Sequence, residues 1–228
     1  MPYSIAIDGP AGAGKSTIAK ALAEKLSYVY LDTGAIYRTV AYHMFLMGIS
    51  PKDKDGVRRL IDDVNVSIEW QEDGRQHMIL NGMDVTDEIR SPEISMGAST
   101  VSAYPFVRDV LLDLQRDVAR KENVIMDGRD IGTVVLPNAD VKIFLTASAA
   151  VRARRRCKEL EEKGKVQSYK EVLADIEKRD EQDMTRAVAP LCCAPDGIKV
   201  DSSDLSINEV VAAIYAIAAE KIPALAKA

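Results

Sequence analysis

Short apolar runs alternate along this chain with longer stretches of helical spacing, and their order predicts most of the architecture. Ser4-Ile5-Ala6-Ile7 has the pattern of a buried strand, and Thr17 to Leu26 carries apolar residues at helical spacing. Tyr28-Val29-Tyr30-Leu31 repeats the strand pattern, closes at Asp32-Thr33-Gly34, and is followed by helical spacing from Ala35 to Leu46. The middle changes period. Val64 to Trp70 alternates, Met78-Ile79-Leu80 runs into an Asn81-Gly82 turn, and Met83 to Val85 is expected to return as an antiparallel partner, so Val64 to Val85 reads as a small β insertion. Helical patterns resume over Pro92 to Ala103 and Phe106 to Arg120, separated by Tyr104-Pro105. Val124-Ile125-Met126, Val141 to Leu145 and Ile198-Lys199-Val200 complete a set of five core strands. Ala147 to Glu162 and Ser168 to Met184 read as helices around a Gly164 break, and Ile207 to Lys221 as a C-terminal helix. Such alternation predicts an α/β doubly wound sheet, whose ligands sit beyond the carboxyl ends of the strands.

A length of 228 residues suits one sizeable core, and 47% hydrophobic with 29% charged residues is the balance of a globular protein. No apolar stretch approaches the ~20 residues of a membrane span, and a strand pattern beginning at Ser4 predicts no signal peptide. A net charge of −5 argues against a general nucleic-acid coat. Cys157, Cys192 and Cys193 form an odd set with two adjacent members, a poor start for a disulfide framework. His43 and His77 fall at no ligand spacing, so no zinc site is expected. A monomeric cytoplasmic protein with no nucleic-acid or membrane partner is the expectation.

Against that background one segment carries specific chemistry. Gly9-Pro10-Ala11-Gly12-Ala13-Gly14-Lys15-Ser16 is a complete GxxxxGK[ST] phosphate loop, placed between a predicted strand and a predicted helix as the motif requires. Its glycines let backbone N–H groups curl around phosphate oxygens, the following helix adds its unpaired amides, Lys15 adds a mobile positive charge, and the Ser16 hydroxyl suits Mg²⁺. The loop implies a bound nucleoside triphosphate without saying where the γ-phosphate goes.

Three further clusters bear on that question. Asp32 to Arg38 follows the second strand with a hydroxyl and an arginine able to fork onto a phosphate, although Asp32 or Thr33 equally well caps a helix. Asp127-Gly128-Arg129-Asp130 follows a core strand, where an aspartate suits metal or base recognition; an Asx turn with exposed charges is the plainer alternative. Arg179, Asp183 and Arg186 stand at i, i+4 and i+7, on one face if the helix runs that far. Arg152, Arg154, Arg155 and Arg156 form a basic stretch whose alternative is a solvated face paired with Glu159, Glu161 and Glu162.

Four separated blocks together resemble bacterial cytidylate kinase: Asp8 to Ser16, Leu31 to Arg38, Asp127 to Thr133, and Arg186 to Leu191. The resemblance runs from about Ser4 to the last helix. It implies a P-loop kinase fold with a five-stranded parallel sheet flanked by helices, a small antiparallel β insertion in the monophosphate-binding region and a mobile lid. On that pattern residues 1–228 form a single domain, with the insertion over about 36–105 and the lid over about 150–168. It further implies γ-phosphate transfer from ATP to CMP or dCMP with Mg²⁺. Gly9, Pro10, Ala11, Gly12, Ala13, Gly14, Lys15, Ser16 and Thr17 would hold ATP, and Thr33, Arg38, Arg129 and Arg186 the acceptor phosphate. Asp183 with Arg179 would meet the ribose, and Ser99, Arg108 and Asp130 would read the cytosine edge. Lys15, Arg129, Arg186, Arg152 and Arg156 are the expected catalytic groups, and Ser16 the metal ligand.

The acceptor phosphate is already anionic, so direct in-line transfer needs alignment and spread positive charge rather than a nucleophilic side chain. A nucleotide-dependent switch is the rival from another class, but the guanine-reading Asn-Lys-x-Asp sequence is absent. A kinase for UMP, AMP or a metabolite hydroxyl is the rival among enzymes.

Overall fold

Strand β1 (Ser4–Asp8) ends in the phosphate loop, and helix α1 (Lys15–Leu26) begins inside it. This is the first of a series of alternating units in the computed structural model, which describes residues 2–71, 74–162 and 164–225. Positions 72 and 73 of the predicted β insertion and position 163 of the predicted lid lie outside the described residues. Strand β2 (Val29–Asp32) leads into α2 (Thr33–Leu46) and a short α3 (Lys54–Leu60). Strands β3 (Val66–Trp70), β4 (Gln76–Leu80) and β5 (Met83–Asp84) form the antiparallel insertion, followed by α4 (Pro92–Val101) and α5 (Pro105–Lys121). Strands β6 (Val124–Gly128) and β7 (Val141–Thr146), helices α6 (Ala149–Glu162) and α7 (Tyr169–Thr185), strand β8 (Ile198–Asp201) and helix α8 (Ile207–Lys221) complete the chain.

The expected five-stranded parallel sheet is present in the order β2-β6-β1-β7-β8, and the smaller sheet runs β3-β4-β5. Ile5, Ala6 and Ile7 of β1 are wholly buried, as are Val124, Ile125 and Met126 of β6, which is the continuous apolar signature of strands covered on both faces. In the small sheet β3 and β4 pair antiparallel, Val66 opposite Leu80, and the turn after β4 puts Asn81 (φ 50°) and Gly82 (φ 83°) in the left-handed region its tight reversal demands. No helix among the described residues is long and apolar enough to cross a membrane, and all three cysteines are free.

The chain divides into two compact units, one formed mainly by Val29–Val124 and one by Tyr3–Tyr28 with Ile125–Ala228. The first contains the small sheet and α2 to α5; the second contains the phosphate loop, α1 and α6 to α8.

Capping chemistry sets most element ends. Asp32, Asp53 and Ser91 each cap a helix in the first unit through side-chain acceptance of a backbone N–H, and Pro105 occupies the first turn of α5. Ser168 and Ser206 close reciprocal capping boxes with Glu171 and Glu209. Two differences from the expected pattern follow from local length. The seven residues of α3 are too short to show helical periodicity, and only the Asp53 cap signals them. Helix α7 stops at Thr185, leaving Arg186 extended (φ −60°, ψ 140°), so Arg179, Asp183 and Arg186 do not share one helical face as their spacing suggested.

Candidate active site

The loop of the second unit is shaped to receive phosphate. Gly9 has φ 152°, and a Cβ there would run into the Leu145 carbonyl oxygen of β7, so no other residue fits that position. Gly14 caps α1 in a left-handed conformation without any side-chain acceptor, which leaves the first-turn amides to an anion. Lys15 is buried and its ammonium donates to the Pro10 carbonyl at 2.9 Å, across the loop it must serve. Burial, reinforced by the neighbouring Arg129 charge, lowers its pKa from 10.5 to about 7, against the pull of Asp127.

The Ser16 hydroxyl donates to the Asp127 carboxylate at 3.0 Å, bringing the predicted metal ligand together with the acid one residue before the end of β6. One hydroxyl and one carboxylate are hard oxygen donors, and so sparse a protein set suits Mg²⁺, which keeps water and phosphate oxygens in most of its octahedron. The residues therefore fit the ion the motif implies.

Asp8 and Asp130 surround the turn after β6. The Asp8 carboxylate accepts from the backbone N–H groups of Ile131 and Gly132, both at 2.8 Å. Burial nevertheless raises its pKa from 3.8 to about 6. Residues Ile131–Val135 form a single π-helical turn, an irregular feature that no periodicity announces.

Two part-buried ion pairs connect this turn with the end of α7. Arg129 Nε donates to Asp183 at 2.8 Å, and Arg186 donates to Asp130 at 3.1 Å and to the Ala189 carbonyl at 2.6 Å. Burial alone would raise the Asp183 pKa, but the bonded Arg129, with Arg179 and Arg186 close by, holds it below the usual carboxylate value. Of the basic stretch on α6, Arg152 is buried and donates to the Ala11 carbonyl of the loop at 2.9 Å, while both oxygens of Asp180 receive its guanidinium. Arg155 grips the Ser202 carbonyl at 2.6 Å, and the Ser202 hydroxyl donates to Ala13 of the loop at 3.3 Å. Arg154 is exposed, and Arg156 pairs with Glu159 at 3.1 Å as the solvated-face alternative described. The second unit thus carries the loop with its Arg152–Asp180 tie beside the Arg129–Asp183 and Arg186–Asp130 pairs, with Arg179 near enough to act on Lys15 and Asp183.

The first unit carries the remaining predicted residues in two groups. Asp32 caps α2 through Ala35 at 3.1 Å and receives Arg38 at 2.8 Å, so one carboxylate both starts the helix and holds the arginine. Burial opposes ionisation of Asp32, but Arg38 outweighs it and keeps the pKa below the ordinary value. Thr33 is buried at the first position of α2. Arg108 lies 5.5 Å from the Tyr37 ring and donates to the Ser102 carbonyl at 3.3 Å, and the Ser102 hydroxyl in turn bonds the Ser99 carbonyl at 2.9 Å. Asp8, Asp180, Ser202 and Gln76, which braces Asp32, were not singled out by sequence reasoning. Asp8 alone carried a signal, being an acid at the end of an apolar strand just as Asp127 is.

A parallel sheet whose first strand delivers a phosphate loop onto a helix, with Arg129 just past the neighbouring strand end, has a phosphate-loop kinase fold. The cytidylate kinase profile matches residues 5–220. The cytidylate kinase of Caldicellulosiruptor bescii is 52% identical over 91% of this chain and 92% of its own, and that of Carboxydothermus hydrogenoformans 52% identical over 95% and 97%. A solved shikimate kinase from Bacteroides thetaiotaomicron aligns at TM-score 0.48 and 15% identity, covering 94% of this chain and 97% of that one. The chain belongs to the cytidylate kinase family.

Proposed function

We propose that this protein transfers the γ-phosphate of ATP directly to the phosphate of CMP or dCMP. The observation that carries the reading is the presence of a phosphate loop and two part-buried arginine–carboxylate pairs, Arg129–Asp183 and Arg186–Asp130, within the same unit. A hydroxyl acceptor would call for a general base, whereas an acceptor that is itself an anion calls for cations facing it in several directions.

In this reading the residues Gly9 to Thr17 cradle the triphosphate, and Lys15 follows its charge as it develops. Ser16 and Asp127 hold Mg²⁺, which neutralises phosphate charge when bound. Thr33, Arg38, Arg129 and Arg186 take the acceptor phosphate; Arg179 and Asp183 take the ribose. Ser99, Arg108 and Asp130 read the base, because a carboxylate accepts from the cytosine N4 amine but opposes the O4 acceptor of uracil. Arg152 and Arg156 belong to a lid over about 150–168 that excludes water and so suppresses ATP hydrolysis. The segment of about 36–105 serves as the monophosphate-binding insertion of one functional domain, and the protein works as a monomer in the cytoplasm.

ADP release measured with CMP, dCMP, UMP and AMP tests the reading. Fastest turnover with CMP or dCMP is expected; acceptor-independent ATP turnover, or preference for AMP or UMP, would overturn it.

A further inference from the structure

The small antiparallel sheet contributes none of the predicted site residues, yet its middle strand is bonded to the segment that does. Gln76, the first residue of β4, directs its side-chain amide at the main chain of Asp32. Its Oε1 accepts from the Asp32 N–H at 2.7 Å, and its Nε2 donates to the Asp32 carbonyl at 3.2 Å. One amide therefore satisfies both backbone groups of one residue, as a neighbouring strand would. The same Nε2 lies 3.1 Å from the Met78 sulfur on β4 itself, which fixes the amide against its own strand. Strand β3 adds a separate tie: Trp70 Nε1 donates to the Tyr30 carbonyl at 3.3 Å.

Asp32 is the residue on which this grip matters. Its main chain ends β2, and its carboxylate divides between the Ala35 N–H at the start of α2 and the Arg38 guanidinium. An arginine side chain has many rotamers, and the carboxylate selects one of them. Rotation of the Asp32 peptide would swing the carboxylate and the guanidinium with it. The line of bonds runs from β4 through the Gln76 amide and the Asp32 backbone to Arg38, and each link joins groups of fixed direction.

We propose that Gln76 is a positioning residue for the acceptor phosphate, holding the Asp32 main chain so that its carboxylate aims Arg38, and that this is the contribution of the small sheet to catalysis. The proposal rests on the reading of Arg38 as an acceptor-phosphate ligand. A glutamine is needed because donor and acceptor must stand side by side at that reach. Glutamate would set a carboxylate oxygen against the Asp32 carbonyl, and leucine would leave two backbone groups unpaired.

The test is steady-state kinetics on the full chain with Gln76→Glu and Gln76→Leu, varying CMP and ATP separately, with thermal melting as the measure of folding. KM for CMP is expected to rise about tenfold in each, as follows from one poorly replaced buried hydrogen-bonding group, while KM for ATP stays within about twofold. In an Arg38→Ala background Gln76→Leu should add little, because both changes remove the same interaction. Trp70→Phe, which breaks the other tie, should leave KM for CMP unchanged.

An unchanged KM for CMP in a folded Gln76 variant would overturn the proposal, as would full additivity with Arg38→Ala. An equal rise in Trp70→Phe would assign the effect to the whole sheet and overturn the role of the amide. Should Gln76→Leu fail to fold, the isosteric Gln76→Glu decides the same comparison. Absence of CMP turnover in the unaltered protein would instead overturn the functional reading beneath the proposal.

Discussion

Three arginines of the second unit are held by carboxylates, Arg129 on Asp183, Arg152 on Asp180 and Arg186 on Asp130, all with little exposure. The first unit adds neutral braces. Arg108 meets the Ser102 carbonyl and the Tyr37 ring, and the pair of Asp32 with Arg38 is itself braced by the Gln76 amide. The two schemes suit different tasks. Buried ion pairs orient strong charges in advance, which stabilises charge moving between phosphates without reorganisation at the moment of transfer. Neutral braces hold a cation in place while leaving its field available to an incoming anion. Changes in the second unit should therefore act mainly on turnover, and changes at Arg38 or Gln76 mainly on KM for CMP.

Lys15→Ala is the severest test of the charge side. Turnover should fall about 10²- to 10³-fold, the scale for removing one group aimed at developing charge, while circular dichroism stays native. Near-normal turnover in a folded variant would break the comparison at its strongest point. Arg186→Ala should lower kcat about 10²-fold and also lower the melting temperature, because Asp130 stays buried with less compensation. A change confined to KM for CMP would move Arg186 to the neutral scheme of the first unit.

Asp130→Asn sharpens the division within the second unit between charge and recognition. The ratio of kcat/KM for CMP over UMP should fall about tenfold, in line with one lost base contact. Unchanged selectivity would leave base reading to Ser99 and Arg108 of the first unit.

The smallest effect concerns stability of the free protein against pH. Between its ordinary value of 3.8 and about 6, folded Asp8 keeps a proton that the unfolded chain has released, so stability falls as pH rises through that window. Lys15 works in the opposite sense: between about 7 and 10.5 the unfolded chain keeps the proton the folded one has lost, so stability rises with pH. These two groups together give a minimum near pH 6 to 7, measurable as urea midpoints across the range. Asp8→Asn should abolish the fall on the acid side; its persistence would show that another group is responsible.

Much of this architecture was legible in the chain because its signals are local. Buried strands announce themselves as apolar runs, the Asn81-Gly82 pair fits its reversal, and Ser91, Ser168 and Ser206 mark helix starts within a residue or two of the observed ends. The phosphate loop was legible for the same reason, since its donors come from consecutive backbone amides and one adjoining lysine. Helix α3 and the π-helical turn at Ile131–Val135 were not, being too short for any period to emerge. Site residues separated along this line too: Asp32 and Arg38 are six residues apart, whereas Arg152 and Asp180 meet across 28 residues and Asp8 reaches Ile131 across 123.

By itself, then, the sequence determined the order of strands and helices, the loop that accepts a triphosphate, and the set of charged groups available to it. Those properties depend on neighbours a few positions away, where periodicity, caps and fixed spacing act. Only the tertiary structure decided how the charges are used. It turned Arg152 toward the loop and Arg156 toward Glu159, ended α7 so that Arg186 extends to Asp130, and brought a β4 amide to the Asp32 backbone. Partners of that kind are chosen by which strand lies beside which and by which polar groups burial leaves in need of one another, and neither is written in the spacing along the chain.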